Sequence, residues 1–144
     1  MWAVTKALAS AVCMLAVIAA FGYTKSALAL AAIPASVLVG LAFGGVGLCV
    51  NAVANGYDFF SYYMTLVLTP MMMLSGVFFP VEQLPAAVQA VAQALPLYHG
   101  VALARPLLLG EVPHAILLHV VVLLAYAIGG FYVAVLLTRR RLLT

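Results

Sequence analysis

Charge is what this chain has least of. Three acidic residues (Asp58, Glu82, Glu111) and six basic ones make up 6% of its 144 residues, against roughly 25% in ordinary soluble domains. With 68% hydrophobic residues, too little polar surface remains to keep a soluble fold in solution. Cysteine is nearly absent. Cys13 and Cys49 form no CxxC pair, which excludes a disulfide framework and a redox dithiol and leaves both thiols as packed, inert side chains.

Other absences exclude chemistry. There is no HExxH and no GxxxxGK(S/T), so neither a zinc hydrolase nor a nucleotide-hydrolysing loop is written here. His99, His114 and His119 offer no metal set, because the last two stand five apart and so on different helix faces. They read as polar residues at the outer membrane surface. Ser75-Gly76 with one histidine would make an intramembrane serine-protease dyad, but Met73 stands where a GxSG motif needs glycine. The expectation is no enzyme, no cofactor and no metal.

What is present is four long uncharged runs. No acidic or basic residue falls between Lys6 and Lys25, Lys25 and Asp58, Asp58 and Glu82, or Glu111 and Arg139. A crossing needs about 20 mainly apolar residues, and lipid admits only helices or a closed barrel. A barrel needs alternating segments of about 10 residues; these runs are continuous. The fold class expected is therefore all-α, a polytopic transmembrane helical bundle. Its four spans fall at about 7–23, 27–50, 59–79 and 115–138, in one domain over 1–144. A cleavable signal peptide is an alternative for the first run, but its apolar stretch is longer than usual and no clear A-x-A site stands out.

Arg139, Arg140 and Arg141 directly follow the last run, which favours a cytoplasmic C-terminus. Four spans then place the N-terminus and Lys6 inside, with Lys25 and Arg105 outside. The triple arginine reads as a topology anchor, rather than as a contact for nucleic acid or anionic headgroups.

Along the chain, a short outer turn at 24–26 separates the first two spans. Ala32, Ser36, Gly40 and Gly44 recur every four residues, a small-residue stripe that lets helices approach closely in lipid. Pro34 is a candidate kink. Asn55-Gly56 signals a turn, and Asp58 is expected to cap the third span, with Tyr57, Tyr62 and Tyr63 in the headgroup belt. Pro70 followed by three methionines predicts a bent, adaptable helix.

The stretch 80–110 differs from the rest. Pro85 opens a short helix and Pro96 closes it. Leu84, Val88, Val91 and Leu95 fall on one side, Gln89 and Gln93 on the other. A second short piece, 97–110, carries Tyr98, His99 and Arg105-Pro106. Neither piece is long enough to cross. They predict a re-entrant or interfacial helix pair over about 84–109, on the outer side between the last two spans.

Tyr57-Asp58-Phe59-Phe60-Ser61-Tyr62-Tyr63, then the run from Leu74-Ser75-Gly76-Val77-Phe78-Phe79-Pro80 through Leu84-Pro85, resemble the ABC-2 type transporter permease family. Leu95-Pro96-Leu97-Tyr98-His99 and Arg105-Pro106-Leu107-Leu108-Leu109-Gly110 continue the match, nearest to the nodulation protein J-like branch associated with lipooligosaccharide export. The resemblance implies six-span relatives, whose third to sixth spans these four would match. It implies an exporter permease, acting as a homodimer with separate ATPase subunits and moving an amphiphilic substrate across the bacterial inner membrane among membrane lipids. Ala102 departs from the pattern, since many relatives carry an acid there; Arg105 then needs Glu111 or a carbonyl as partner. The outer-gate candidates are Ser75, Gly76, Phe78, Phe79, Pro80, Glu82, Pro85, Pro96, His99 and Arg105. The rival expectation is a membrane scaffold or accessory subunit that transports nothing.

Overall fold

The computed structural model describes residues 2–22, 30–54, 56–78 and 80–143, with side chains over 5–22, 30–54, 56–78 and 80–140. Tyr23, the turn at 24–26 with Lys25, the start of the second expected span, Asn55, Phe79 and the side chain of Arg141 lie outside these. All regular elements among the described residues are helical: α1 (Trp2–Ala20), α2 (Ala32–Val53), α3 (Tyr57–Tyr63), a π-helical segment (Met64–Leu68), α4 (Thr69–Leu74), a 3-10 turn (Val81–Gln83), α5 (Ala86–Ala94), α6 (Pro96–Leu109) and α7 (Ile116–Leu143).

Two helices are long and apolar enough to cross a bilayer, α2 and the stretch of α7 from Ile116 to Arg140. The described side chains of α1, Thr5–Ala20, make a shorter apolar helix. Most large apolar side chains on α7 point outward, among them Leu117, Val121, Leu124, Ile128 and Leu136. Its inward residues are His119, Leu123, Ala127 and Ala134, a narrow stripe at helical spacing. A helix with so much apolar surface left uncovered is solvated by lipid rather than water.

α2 and α7 make the most extensive helix pair, with α1 packed on α2 and α6 wedged against both α2 and α7. The core is Ala42, Leu103, Leu123 and Ala127, one or two residues from each of α2, α6 and α7. Alanine at two of these positions keeps the backbones close. They come closest at Gly45 and Gly130. A Cβ on Gly130 would lie 2.8 Å from the carbonyl carbon of Gly45, and one on Gly45 3.0 Å from the carbonyl oxygen of Ala127. Cys49 adds a thiol bond to the Gly130 carbonyl at 3.0 Å, whereas Cys13 is exposed on α1, so only one of the two thiols is packed.

The third apolar run departs from expectation in two ways. It is helical over 57–74 and then turns, so Ser75 to Phe78 are not helix. Gly56, not Asp58, is the residue at its N-cap, and no side chain caps it. Asp58 sits in the first turn, where a carboxylate still faces the positive end of the helix. Ahead of Pro70 the helix widens to π over Met64–Leu68, and Thr69 returns both its N–H and its hydroxyl to the Met64 carbonyl. A proline cannot donate to the carbonyl four residues back, and its ring crowds it. The wider turn takes up that misfit.

After Gly76 (φ +82°), the 3-10 turn is tied down by Gln89, whose side-chain amide donates to the carbonyls of Leu84 (2.8 Å) and Glu82 (3.3 Å). Pro85 stands before α5 and Pro96 opens α6, with Leu95 extended between them. The buried residue of α5 is Ala92, and Leu84, Val88 and Leu95 on the same side are half-buried, so the expected apolar side is the packed one except at Val91, which is 54% exposed. α6 ends in a Schellman turn: Gly110 at φ +81°, with Glu111 N–H donating to Pro106 O at 2.8 Å and Gly110 N–H to Leu107 O at 3.3 Å.

Candidate functional site

A cluster of polar side chains gathers where α4, the 3-10 turn, α5 and α6 meet the start of α7. Proline placement builds the corner. Pro80 and Pro85 bracket the 3-10 turn, and Pro96 starts α6 within two residues of the end of α5. α6 therefore returns beside α5 and presents Tyr98, His99 and Arg105 to its neighbours.

Arg105 Nη2 donates to the carbonyls of Gly76 (2.9 Å) and Val77 (3.3 Å). Of the two partners expected in place of the missing acid, the carbonyls are the ones used. They belong to the turn after α4, so this guanidinium clips the end of the third apolar run to α6. Ser75, only 1% exposed, donates its hydroxyl to Met72 O at 2.8 Å and closes the same turn from inside.

His99 and His119 are buried, at 3% and 8% exposure. The expectation that they line the membrane surface is corrected: their Nδ1 atoms face each other at 2.7 Å. His99 Nε2 lies 2.8 Å from the Gln93 carbonyl. A carbonyl only accepts, so His99 carries its proton on Nε2. Its bare Nδ1 then accepts from His119 Nδ1–H. The Tyr98 ring stands edge-on to both imidazoles, with centroids 5.3 and 6.2 Å away. The chain His119 to His99 to Gln93 links α7, α6 and the end of α5. Tyr126 of α7 adds a hydroxyl bond to the Ala94 carbonyl at 2.7 Å.

This pair holds one shared proton, and a second would set two N–H groups against each other. Burial pushes His99 below its ordinary value of 6.5, against a smaller opposing pull from the Gln93 carbonyl. A depressed histidine contributes stability that is fully present above 6.5 and is lost as pH falls through the folded value. Thermal unfolding in detergent should therefore be flat above neutral pH and fall on acidification. His99→Phe should flatten that slope; an unchanged slope would take His99 out of it. At neutral pH His119→Phe should cost about 1–3 kcal/mol, the penalty of a buried nitrogen left unpaired.

A cavity of about 290 Å³ opens beside this network, lined in part by Ser75, Gly76, Pro80, Glu82 and Arg105 together with His114 and His119. Of the expected gate residues, Ser75, Gly76, Pro80, Glu82 and Arg105 are thus together. Pro85 and Pro96 act at helix starts, and His99 lies behind the cavity in the imidazole pair. Phe78 is 60% exposed and does not line this cavity. Of the small-residue stripe, Ala32 is buried and accepts the Ser36 hydroxyl at 2.7 Å. Ser36 and Gly40 line a separate apolar cleft between α1, α2 and α6. Gly45, Gly130 and His119 are the important positions the sequence did not single out as packing or site residues.

A lipid-solvated, all-helical fold with a polar corner joining broken helices defines an integral membrane protein with no enzyme-like constellation among its described residues. The ABC-2 type transporter model matches residues 3–109, and the chain belongs to that family. It is 45% identical to nodulation protein J of Rhizobium leguminosarum bv. viciae, over 99% of this chain and 55% of that relative. Nodulation protein J of Rhizobium meliloti (strain 1021) is 43% identical and that of Sinorhizobium fredii 41%, over 99% of this chain and 54% and 55% of theirs. The chain spans about half the length of the curated relatives it matches. No solved structure matches it.

Proposed function

We propose that the chain is a permease subunit of an ATP-binding-cassette exporter in the bacterial inner membrane. It would form a homodimer, driven by a separate ATPase subunit, and would carry an amphiphilic substrate of the lipooligosaccharide kind. In this reading α1, α2, the helical run 57–74 and α7 are four crossings, both termini are cytoplasmic, and α5–α6 dips in from the outer side. The observation that carries it is the Arg105 clip from α6 to the Gly76 and Val77 carbonyls. It joins a broken, non-crossing hairpin to a helix that already contains a π segment. Such a junction has the parts of an outer gate: two short helices held by a few polar contacts, against a helix that can change its winding. Nucleotide moves it only if its two arrangements couple differently to the ATPase.

Co-expression with an ATPase subunit carrying GxxxxGK(S/T) tests the assignment. Stable, stoichiometric co-purification is expected. Consistent failure to associate would favour an accessory membrane subunit instead. Cysteine accessibility should place residue 89 on the face opposite residue 141; the same face for both would remove the proposed topology.

A further inference from the structure

The cavity, whose wall mixes charged and polar groups with apolar ones, continues into an apolar groove. The two share Arg105 and Val101, and the groove, about 420 Å³, is otherwise lined by Val77, Ala104, Leu108 and Leu109. A chamber of this kind opening onto an apolar slot, with one cation at the junction, has the outline of an amphiphile. We propose that this corner binds a phospholipid whose headgroup carries both a phosphate and a primary amine, with an acyl chain in the groove. The inference needs only the membrane placement of the family. It stands apart from the export reading.

The headgroup chemistry follows from the charges. Glu82 and Arg105 line the same chamber, yet neither forms an ion pair among the described residues. Arg105 spends Nη2 on two carbonyls. These fix its plane without cancelling its charge and leave Nε and Nη1 for another acceptor. A phosphate oxygen suits Nη1, whose contact with an anion is charge-assisted. On the other side, the Glu82 carboxylate has no side-chain donor among the described residues. Pro106 has no N–H to return to the Ala102 carbonyl, and both Ala102 and Pro106 line the chamber. Carboxylate and carbonyl together are acceptors for an ammonium. Tyr98 and His114, also on the wall, supply further polar contacts between the two poles.

Alternatives leave a charge unanswered. A purely anionic headgroup would meet Glu82 in the same space, and a purely cationic one would meet Arg105. A neutral sugar would hydrogen-bond to both and neutralise neither. The chamber, about 290 Å³, sits at the small end of ligand sites, which run about 300–1,000 Å³. That size suits a headgroup better than an oligosaccharide. The adjoining groove selects a lipid over the free headgroup.

The test uses the purified chain in detergent, without ATPase or cargo. Binding of short-chain phosphatidylethanolamine, short-chain phosphatidylglycerol and free phosphoethanolamine is measured by native mass spectrometry and by titration. Phosphatidylethanolamine should bind about tenfold tighter than phosphatidylglycerol, the worth of one charge-assisted contact, and much tighter than free phosphoethanolamine. Glu82→Gln should bring the two lipids to equal affinity, and Arg105→Gln should weaken both about tenfold. Glu82 is exposed and its side chain makes no bond that the fold uses among the described residues. Glu82→Gln therefore tests the idea even if the arginine variant fails to fold. Equal binding of the two lipids by the parent chain, or a preference that survives Glu82→Gln, overturns the proposal. Free phosphoethanolamine binding as tightly as the lipid overturns the role of the groove.

Discussion

Gly130→Val should disassemble the α2–α7 pair while its neighbour Gly129→Ala leaves it intact. A Cβ at 130 would stand 2.8 Å from the carbonyl carbon and 3.0 Å from the Cα of Gly45, whereas a Cβ at 129 meets nothing within 4 Å. The obstacle at 130 is backbone, which cannot turn aside as a side chain does, so the helices must part. Overpacking a core costs roughly 1–3 kcal/mol even where side chains relax, and valine here should exceed that range. Loss of the close approach would also break the Cys49 thiol bond to the Gly130 carbonyl. In contrast, Gly129→Ala should be neutral or stabilising by up to about 1 kcal/mol, because alanine removes glycine's entropic cost in a helix. Thermal midpoint in detergent and steady-state membrane level are the readouts. Equal behaviour of the two variants would show that the pair is not held by this contact.

Arg105→Ala, made in the assembled transporter, should cut export about tenfold or more while leaving membrane level near normal. Two hydrogen bonds from one cation to the Gly76 and Val77 carbonyls are lost together. Bonds to a charged group are worth about 1.5–3 kcal/mol each, and the exposure of this side chain argues for the low end. Arg105→Lys keeps the charge but not the planar fork, so it should fall between parent and alanine. Export normalised to the amount of chain in the membrane is the measurement. Unchanged export at normal level would remove Arg105 from the gate.

The sequence disclosed lengths and breaks better than faces. Charge-free runs located α2 and α7, and prolines at 85 and 96 located the ends of the short helices, because proline acts on its own neighbours whatever packs around them. The small-residue stripe shows the limit. Stepping by four residues turns about 40° too far each time on a helix of 3.6 residues per turn, so the stripe winds round α2, and Ser36 and Gly40 line the cleft shared with α1 and α6. The close approach falls instead at Gly45 and Gly130, on different helices and 85 residues apart in the chain, where no local pattern links them. The imidazole pair was hidden for the same reason. His99 and His119 are brought together by the turn back at Gly110, and spacing along one helix cannot reveal a partner on another. Pro70 was legible as a disturbance, but the widened turn ahead of it depends on where Thr69 sends its hydroxyl.

The far end of α5 is finished by groups that do not belong to it. The Gln93 carbonyl is answered by an imidazole of α6 and the Ala94 carbonyl by a phenol of α7. A helix of nine residues has little cohesion of its own. Borrowing its terminus from two larger neighbours makes the three pieces travel as one body. Slack ahead of that body is then confined to the extended Leu84–Pro85 step. Displacing α5 and α6 without melting them therefore requires bending at that step and carries α7 with them.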